Sequence, residues 1–224
     1  MSSTKRGGQR EPTDYYCTPQ WAILEFLDAY HQLNGPLTGP LLDPCAGGIM
    51  EPGGLVTQDM AYPQALSAFY FGDVNAVNTL DLRHDSPAHL ASTNYLTFDT
   101  DVRFQTIISN PPFALAMAFI TKGLSHLAQG GKLIYLLRLN FLGTQRRAAF
   151  FCDHPPSQIF VHSRRLCFTG NGKTDSVEYA HFVWDKEWTG HPAALYVLGA
   201  ELHDSTQPAC RVPRSLGTTP FCFT

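Results

Sequence analysis

The feature that most narrows what this chain can fold into is Asn110-Pro111-Pro112-Phe113. It lies between a β-branched apolar run, Thr106-Ile107-Ile108-Ser109, and a helix-like run from Ala114 to Ala128. A strand passing into a helix is the unit of parallel α/β sheets, whose ligands bind at the carboxyl ends of the strands. Two consecutive prolines fix φ near −65° twice and remove two backbone donors. The oxygens of Asn110 and Pro111 are thereby held without competing local hydrogen bonds, beside an aromatic ring. Such a loop suits a flat ring carrying an amino group, whose two hydrogens the oxygens accept while Phe113 stacks on its face. The same four residues also suit plain punctuation of a strand, so the rest of the chain has to decide.

With 224 residues, 44% of them apolar and 16% charged, the chain is expected to form one α/β domain around one substantial core. No apolar run reaches the length of a membrane span, and Met1 to Thr13 has no apolar region of the kind a signal peptide carries. The six cysteines (Cys17, Cys45, Cys152, Cys167, Cys210, Cys222) form no Cys-x-x-Cys pair. Free thiols in a reducing cytoplasm are expected, and no metal site. The net charge of −3 conceals an asymmetry. From Glu11 to Ser109 twelve acids face two bases, whereas from Lys132 to Lys173 seven bases face one acid. That division suits a protein that binds a polyanion along one edge.

Residues 1–13, with Lys5, Arg6, Arg10 and no apolar period, read as a flexible basic arm, leaving 14–224 as the single domain. Thr18 is placed to cap a helix that has Pro19 at its first position. Ile23, Leu24, Leu27 and Tyr30 carry that helix to about Leu33, before Gly35. Leu41 to Gly48 is a short apolar strand ending in an acid and a turn of small residues, which lets backbone approach a ligand closely. It lacks the Gly-x-Gly-x-x-Gly of a dinucleotide site. Met50 to Met60 reads as irregular loop, and Pro63 to Tyr70 as a helix. A strand within Val74–Leu82 ends near Asp81, with Asp73 its competitor for a role at the strand end.

Beyond the Asn-Pro-Pro-Phe loop, Leu115, Phe119, Leu124 and Leu127 mark a helix face, and Lys132 to Leu137 a buried strand. Leu139 to Gly143 reads as loop, Thr144 to Asp153 as helix, and Ile159–Val161 and Glu178–Trp184 as strands. Between those strands, Gly172-Lys173-Thr174 resembles a nucleotide phosphate loop, but Cys167 stands where its first glycine belongs and no helix pattern follows. Arg164, Arg165, Phe168 and Lys173 fit a nucleic-acid-contacting hairpin better, with Arg146 and Arg147 beside it. Residues 189–224 show no period and read as an irregular wrap over the core.

Taken together, these motifs resemble the amino-group branch of the S-adenosylmethionine-dependent methyltransferases. Within it they look most like DNA N6-adenine methyltransferases, including compact ones of the kind phages carry. The resemblance implies an α/β, Rossmann-like, seven-stranded class I methyltransferase fold, its sheet mostly parallel with helices on both faces. It implies S-adenosyl-L-methionine as cofactor. Asp43-Pro44-Cys45-Ala46-Gly47 resembles the family's cofactor loop, with Ile49 in place of a further glycine. Tyr16, Thr18 and Pro19 resemble the segment over the methionine end of the cofactor, and Asp81 stands where the ribose-binding acid belongs. Asn94 stands where an Asp usually meets the cofactor adenine, with Asp99 and Asp101 as alternatives.

Asn110, Pro111, Pro112 and Phe113 would be the catalytic set. A flipped-out adenine would stack on Phe113 while the oxygens of Asn110, its side-chain oxygen included, and of Pro111 accept the two N6 hydrogens. No nucleophilic cysteine is implied, and Cys45 packs or lines the cofactor pocket. The partner expected is DNA, bound by a cytoplasmic monomer. The alternatives are an RNA base methyltransferase (adenine N6 or guanine N2), a protein glutamine methyltransferase, which usually has Tyr at the place of Phe113, and a non-catalytic nucleic-acid-binding module.

Overall fold

The computed structural model describes residues 16–70, 72, 76–168, 174, 176–190 and 193–199. In chain order these form α1 (Gln20–Asn34), β1 (Leu41–Asp43), β2 (Ile49–Met50), β3 (Val56–Gln58), α2 (Ala61–Tyr70) and β4 (Val77–Thr79). They continue with β5 (Phe104–Ser109), α3 (Ala116–His126), β6 (Leu127–Arg138), α4 (Gln145–Asp153), β7 (Gln158–His162), β8 (Tyr179–Asp185) and β9 (Ala194–Leu198). No helix among the described residues is long and apolar enough to cross a membrane.

Apolar residues point to both sides of the central strands, so the sheet must be covered on both faces. On one face Ile107, Leu133, Tyr135, Phe182 and Trp184 pack with Phe119 and Ile120 of α3. On the other, Ile108, Ile134, Phe160 and Val183 pack with Ile23, Phe26 and Leu27 of α1 and with Ala65 and Leu66 of α2. The result is a seven-stranded sheet in the order β4-β1-β5-β6-β8-β7-β9. Every neighbouring pair is parallel except the two that β8 makes, with β6 and with β7. The chain leaves β1 for β4 on one side and later returns to β5 on the other. This reversal opens a crevice at the carboxyl ends of β1 and β5, where open α/β sheets hold ligands. The turns after Asp43 and after Ser109 meet there.

Four local expectations need correction. Pro19, not Thr18, is the cap residue of α1, and no side chain bonds to the first turn. Thr18 is instead buried. The stretch expected as loop after Met50 is an antiparallel pair, β2 with β3. A single turn of tight helix, Phe113–Leu115, precedes α3, whose start falls at Ala116. Part of the stretch read as irregular wrap is β9, which pairs in parallel with β7 over its whole length. The arm at 1–13, Asp73, Lys173 and residues 200–224 lie outside the described residues.

Candidate active site

The loop after β1 is tied to the segment after β4. Ala46 donates its N–H to the Leu80 carbonyl (3.0 Å), and Leu80 donates to the Asp43 carbonyl (3.0 Å). Gly47 donates its N–H to Asp81 Oδ2 (2.7 Å), and Arg83 donates its N–H to Asp81 Oδ1 (2.8 Å). The turn needs its glycines. Gly47 and Gly48 take φ of 67° and 76°, a region costly for residues with a Cβ. A Cβ on Gly48 would also stand 2.8 Å from Pro87. Ile49 therefore does not extend a glycine turn into a helix but begins β2.

A second tie joins β1 to β5. Asp43 Oδ1 accepts from Ser109 Oγ (2.6 Å) and from the Cys45 N–H (3.1 Å), while Oδ2 is buried without a hydrogen-bond partner. Burial raises the Asp43 carboxyl to about 7, the bonds from Ser109 and Cys45 oppose the rise, and the Asp81 charge adds to it. The folded-state value thus lies above the ordinary 3.8. Stability from a protonated Asp43 is complete below that ordinary value and is lost as pH rises through about 7. Asp43→Asn is therefore expected to gain in melting temperature over the parent as pH rises from about 5 to about 8. A difference that does not change with pH would contradict this.

Asn110 follows Ser109 directly. Its Nδ2 donates to the Tyr16 carbonyl (3.1 Å), which fixes the amide's orientation, and its Oδ1 is buried with no partner. A cleft of about 160 Å³ adjoins these groups. It brings together Tyr16, Thr18, Pro44, Cys45, Ala46, Asp81, Asn94, Asn110 and Pro112 of the residues expected from sequence. Pro19, Asp43, Gly47, Pro111 and Phe113 are not among its lining residues. Phe113 packs 5.5 Å from the Tyr179 ring, with the Arg138 guanidinium 4.9 Å above its face. Asn94 reaches the cleft with its Oδ1 engaged by the Leu96 N–H (3.0 Å). Asp99 is 92% exposed beside Lys122, and neither it nor Asp101 lines the cleft.

Tyr62, Leu82, Tyr95, Leu115 and Phe119 also line the cleft and were not expected there. Leu82 carried a signal, an apolar residue directly after the strand-end acid; it is 64% exposed. The others read simply as core. Burial, then the charges of Asp43 and Asp81, pushes the Cys45 thiol well up, which favours its protonated form.

The basic residues divide. Arg147 of α4 is spent on the turn that leads into its helix, donating to the Phe141 and Asn140 carbonyls and lying 4.6 Å over the Phe141 ring. Arg146 belongs to α4. Arg164 lies over Trp21 (3.9 Å) beside Glu25, and Arg165 beside Glu178. Phe168 packs edge-on to Tyr179 (5.0 Å) and Tyr16 (6.0 Å).

No family model and no curated protein matches the chain. Among solved structures it is similar to a candidate class I S-adenosylmethionine-dependent methyltransferase from Listeria monocytogenes. The two are 15% identical, with a TM-score of 0.53, over 82% of this chain and 66% of that one. It is also similar to the M protein of the type I restriction enzyme EcoKI (15% identity, TM-score 0.52, 81% of this chain, 48% of that one). A third is a candidate RNA methyltransferase from Pyrococcus horikoshii (14% identity, TM-score 0.52, 81% of this chain, 94% of that one). The chain thus spans just under two thirds of the first of these and about half of the second. At such identities the likeness is one of fold: this chain has the Rossmann-like, seven-stranded, mostly parallel architecture of the class I methyltransferases.

Proposed function

We propose that this chain is an S-adenosylmethionine-dependent methyltransferase acting on the exocyclic N6 amino group of adenine in DNA. The observation that carries the proposal is the Asn110 amide. Its donor end is held by the Tyr16 carbonyl, which leaves Oδ1 buried, partnerless and fixed beside the cleft. A buried acceptor without a partner is costly unless a ligand supplies the donor. An amino group carries that donor.

The cleft residues fit the cofactor. Each Asp81 oxygen accepts one backbone N–H, and a carboxylate offers about four lone-pair sites. Capacity for two ribose hydroxyls remains. Leu82 and Leu96 supply apolar surface for a purine, and the Pro44–Ala46 turn brings backbone to the cleft wall. When bound, S-adenosylmethionine supplies a sulfonium-activated methyl group, so the protein needs no nucleophile of its own. Asn110 Oδ1 and the Pro111 carbonyl accept the hydrogens of the target amino group and turn its lone pair away from the ring. These fixed dipoles stabilise the positive charge that develops on that nitrogen. A base that stacks on Phe113 competes with the Arg138 contact for one ring face.

DNA is favoured by the aromatic that closes the loop, by the basic segment after β5 and by the likeness to the EcoKI M protein. The likeness to the candidate RNA methyltransferase, which this chain matches over nearly all of that protein's length, supports RNA as the second reading. Tritiated methyl transfer to separate pools of DNA, RNA and protein decides among them. Label in DNA is expected; label in protein alone would end the nucleobase reading.

Arg164 and Arg165 are 62% and 55% exposed. Their joint replacement by Ala is expected to flatten the slope of log affinity against log salt for duplex DNA by about 0.9 for each phosphate no longer neutralised. An unchanged slope would return both to ordinary solvated surface.

A further inference from the structure

A string of buried polar side chains runs from the edge of the molecule to the cleft. His162 Nδ1 lies 3.1 Å from Glu25 Oε2, and His162 Nε2 lies 2.9 Å from His181 Nδ1. His181 Nε2 lies 3.0 Å from the Tyr62 hydroxyl, which the Thr18 side chain also reaches. The members come from α1, β7, β8, α2 and the segment before α1. His162, His181, Tyr62 and Thr18 are each at most 3% exposed. Phe26 stacks on His181 at 4.2 Å and Trp21 meets His162 edge-on, so neither ring is free to turn over. Thr18 and Tyr62 line the cleft.

A carboxylate only accepts, so His162 Nδ1 donates to Glu25 and, in the neutral ring, Nε2 accepts. His181 Nδ1 must then donate and its Nε2 accept, which commits the Tyr62 hydrogen to His181. The Tyr62 oxygen is left to accept from Thr18. Every hydrogen in the string points away from the cleft. A proton added at His181 Nε2 would reverse its bond with Tyr62, and with it the bond from Thr18, while His162 would still donate to Glu25. Burial opposes it, followed by the charge His162 would carry, and together they hold His181 well below the ordinary histidine range. At the outer end Arg164, 3.5 Å from Glu25, already balances the carboxylate. At the inner end the Asp43 charge bears on Tyr62, and Asp43 Oδ2 has no partner.

We infer that Glu25, His162 and His181 are positioning residues that lock the Tyr62 and Thr18 hydroxyls as acceptors, so that this wall takes the cationic amino end of the methyl donor. The inference rests on the S-adenosylmethionine reading. The test is calorimetric titration of the full chain with S-adenosylhomocysteine and with its analogue bearing hydrogen in place of the amino group. The parent is expected to prefer the amine by about tenfold or more. Tyr62→Phe and Glu25→Leu are expected to lower that preference about tenfold and to leave affinity for the analogue within about twofold. An undiminished preference in a folded Tyr62→Phe variant would overturn the inference and leave the donor reading standing. A parent that binds neither ligand would overturn both. Nitrogen-15 histidine spectra of the parent supply a readout independent of ligand: Nδ1–H on both His162 and His181 is expected, and Nε2–H on His181 would overturn the inference.

Discussion

Asn110→Ala is expected to lower kcat and kcat/KM together, by roughly 10²–10³, and to leave affinity for S-adenosylmethionine nearly unchanged. The reason is geometric. Asn110 holds an oxygen in place without a partner, and in the proposed reading its bond to a target amino group is fully formed only as charge develops on that nitrogen. The magnitude corresponds to about 2.7–4 kcal/mol, the cost of losing one such fixed dipole in other enzymes. Asn110→Asp separates two roles of the side chain. A carboxylate still accepts from the target, but it cannot donate to the Tyr16 carbonyl 3.1 Å away. An intermediate loss of rate is expected, with Tyr16 less firmly placed. Circular dichroism must show each variant folded, because Pro111 is buried and its loop is sensitive to its neighbours. Parental rates in a folded Asn110→Ala variant would remove Asn110 from the chemistry.

Asp81→Ala is expected to weaken S-adenosylmethionine binding by about 1.5–3 kcal/mol for each charge-assisted bond removed, or roughly 10–150-fold for one. Two effects act in the same direction. In the proposed reading the carboxylate's bonds to the donor's ribose disappear, and the Gly47 and Arg83 amides lose the acceptors that hold the turn after β1 against the β4 end. Asp81→Asn distinguishes them. An amide can accept from one of those N–H groups, but it turns an NH2 toward the other, so the loop should loosen although the side-chain volume is kept. Calorimetry is expected to rank affinity as parent, then Asn, then Ala. Equal affinity in all three would show that the cleft does not hold its ligand through the end of β4.

The parts of the site that were legible in the sequence are those where a polar residue interrupts an apolar run. Asp43, Asp81 and Asn110 stand at or just beyond the ends of β1, β4 and β5, and a doubly covered parallel sheet makes such interruptions conspicuous. Elements too short to show a period were not legible. β2 and β3 have two and three residues, and Val56 and Thr57 are exposed, so nothing alternates. β9 was hidden for the opposite reason: Leu195 and Val197 are apolar yet 58% and 50% exposed on an edge strand. Tertiary packing was also out of reach. The Arg138–Phe113 contact joins the end of β6 to the loop after β5, and the string from Glu25 to Tyr62 is assembled from four separate elements. The charge asymmetry was visible, but Arg147 turns out to serve its own helix entry rather than an open surface.

The central claim is tested most directly by incubating the chain with S-adenosylmethionine carrying a deuterated methyl group and unmethylated DNA. The DNA is then digested to nucleosides and weighed by mass spectrometry. The account predicts N6-methyldeoxyadenosine that carries the deuterated methyl group, formed by the parent and reduced roughly 10²–10³ in initial rate by Asn110→Ala. Deuterium found on cytosine, only in RNA or protein, or equally with the Asn110→Ala variant would contradict it.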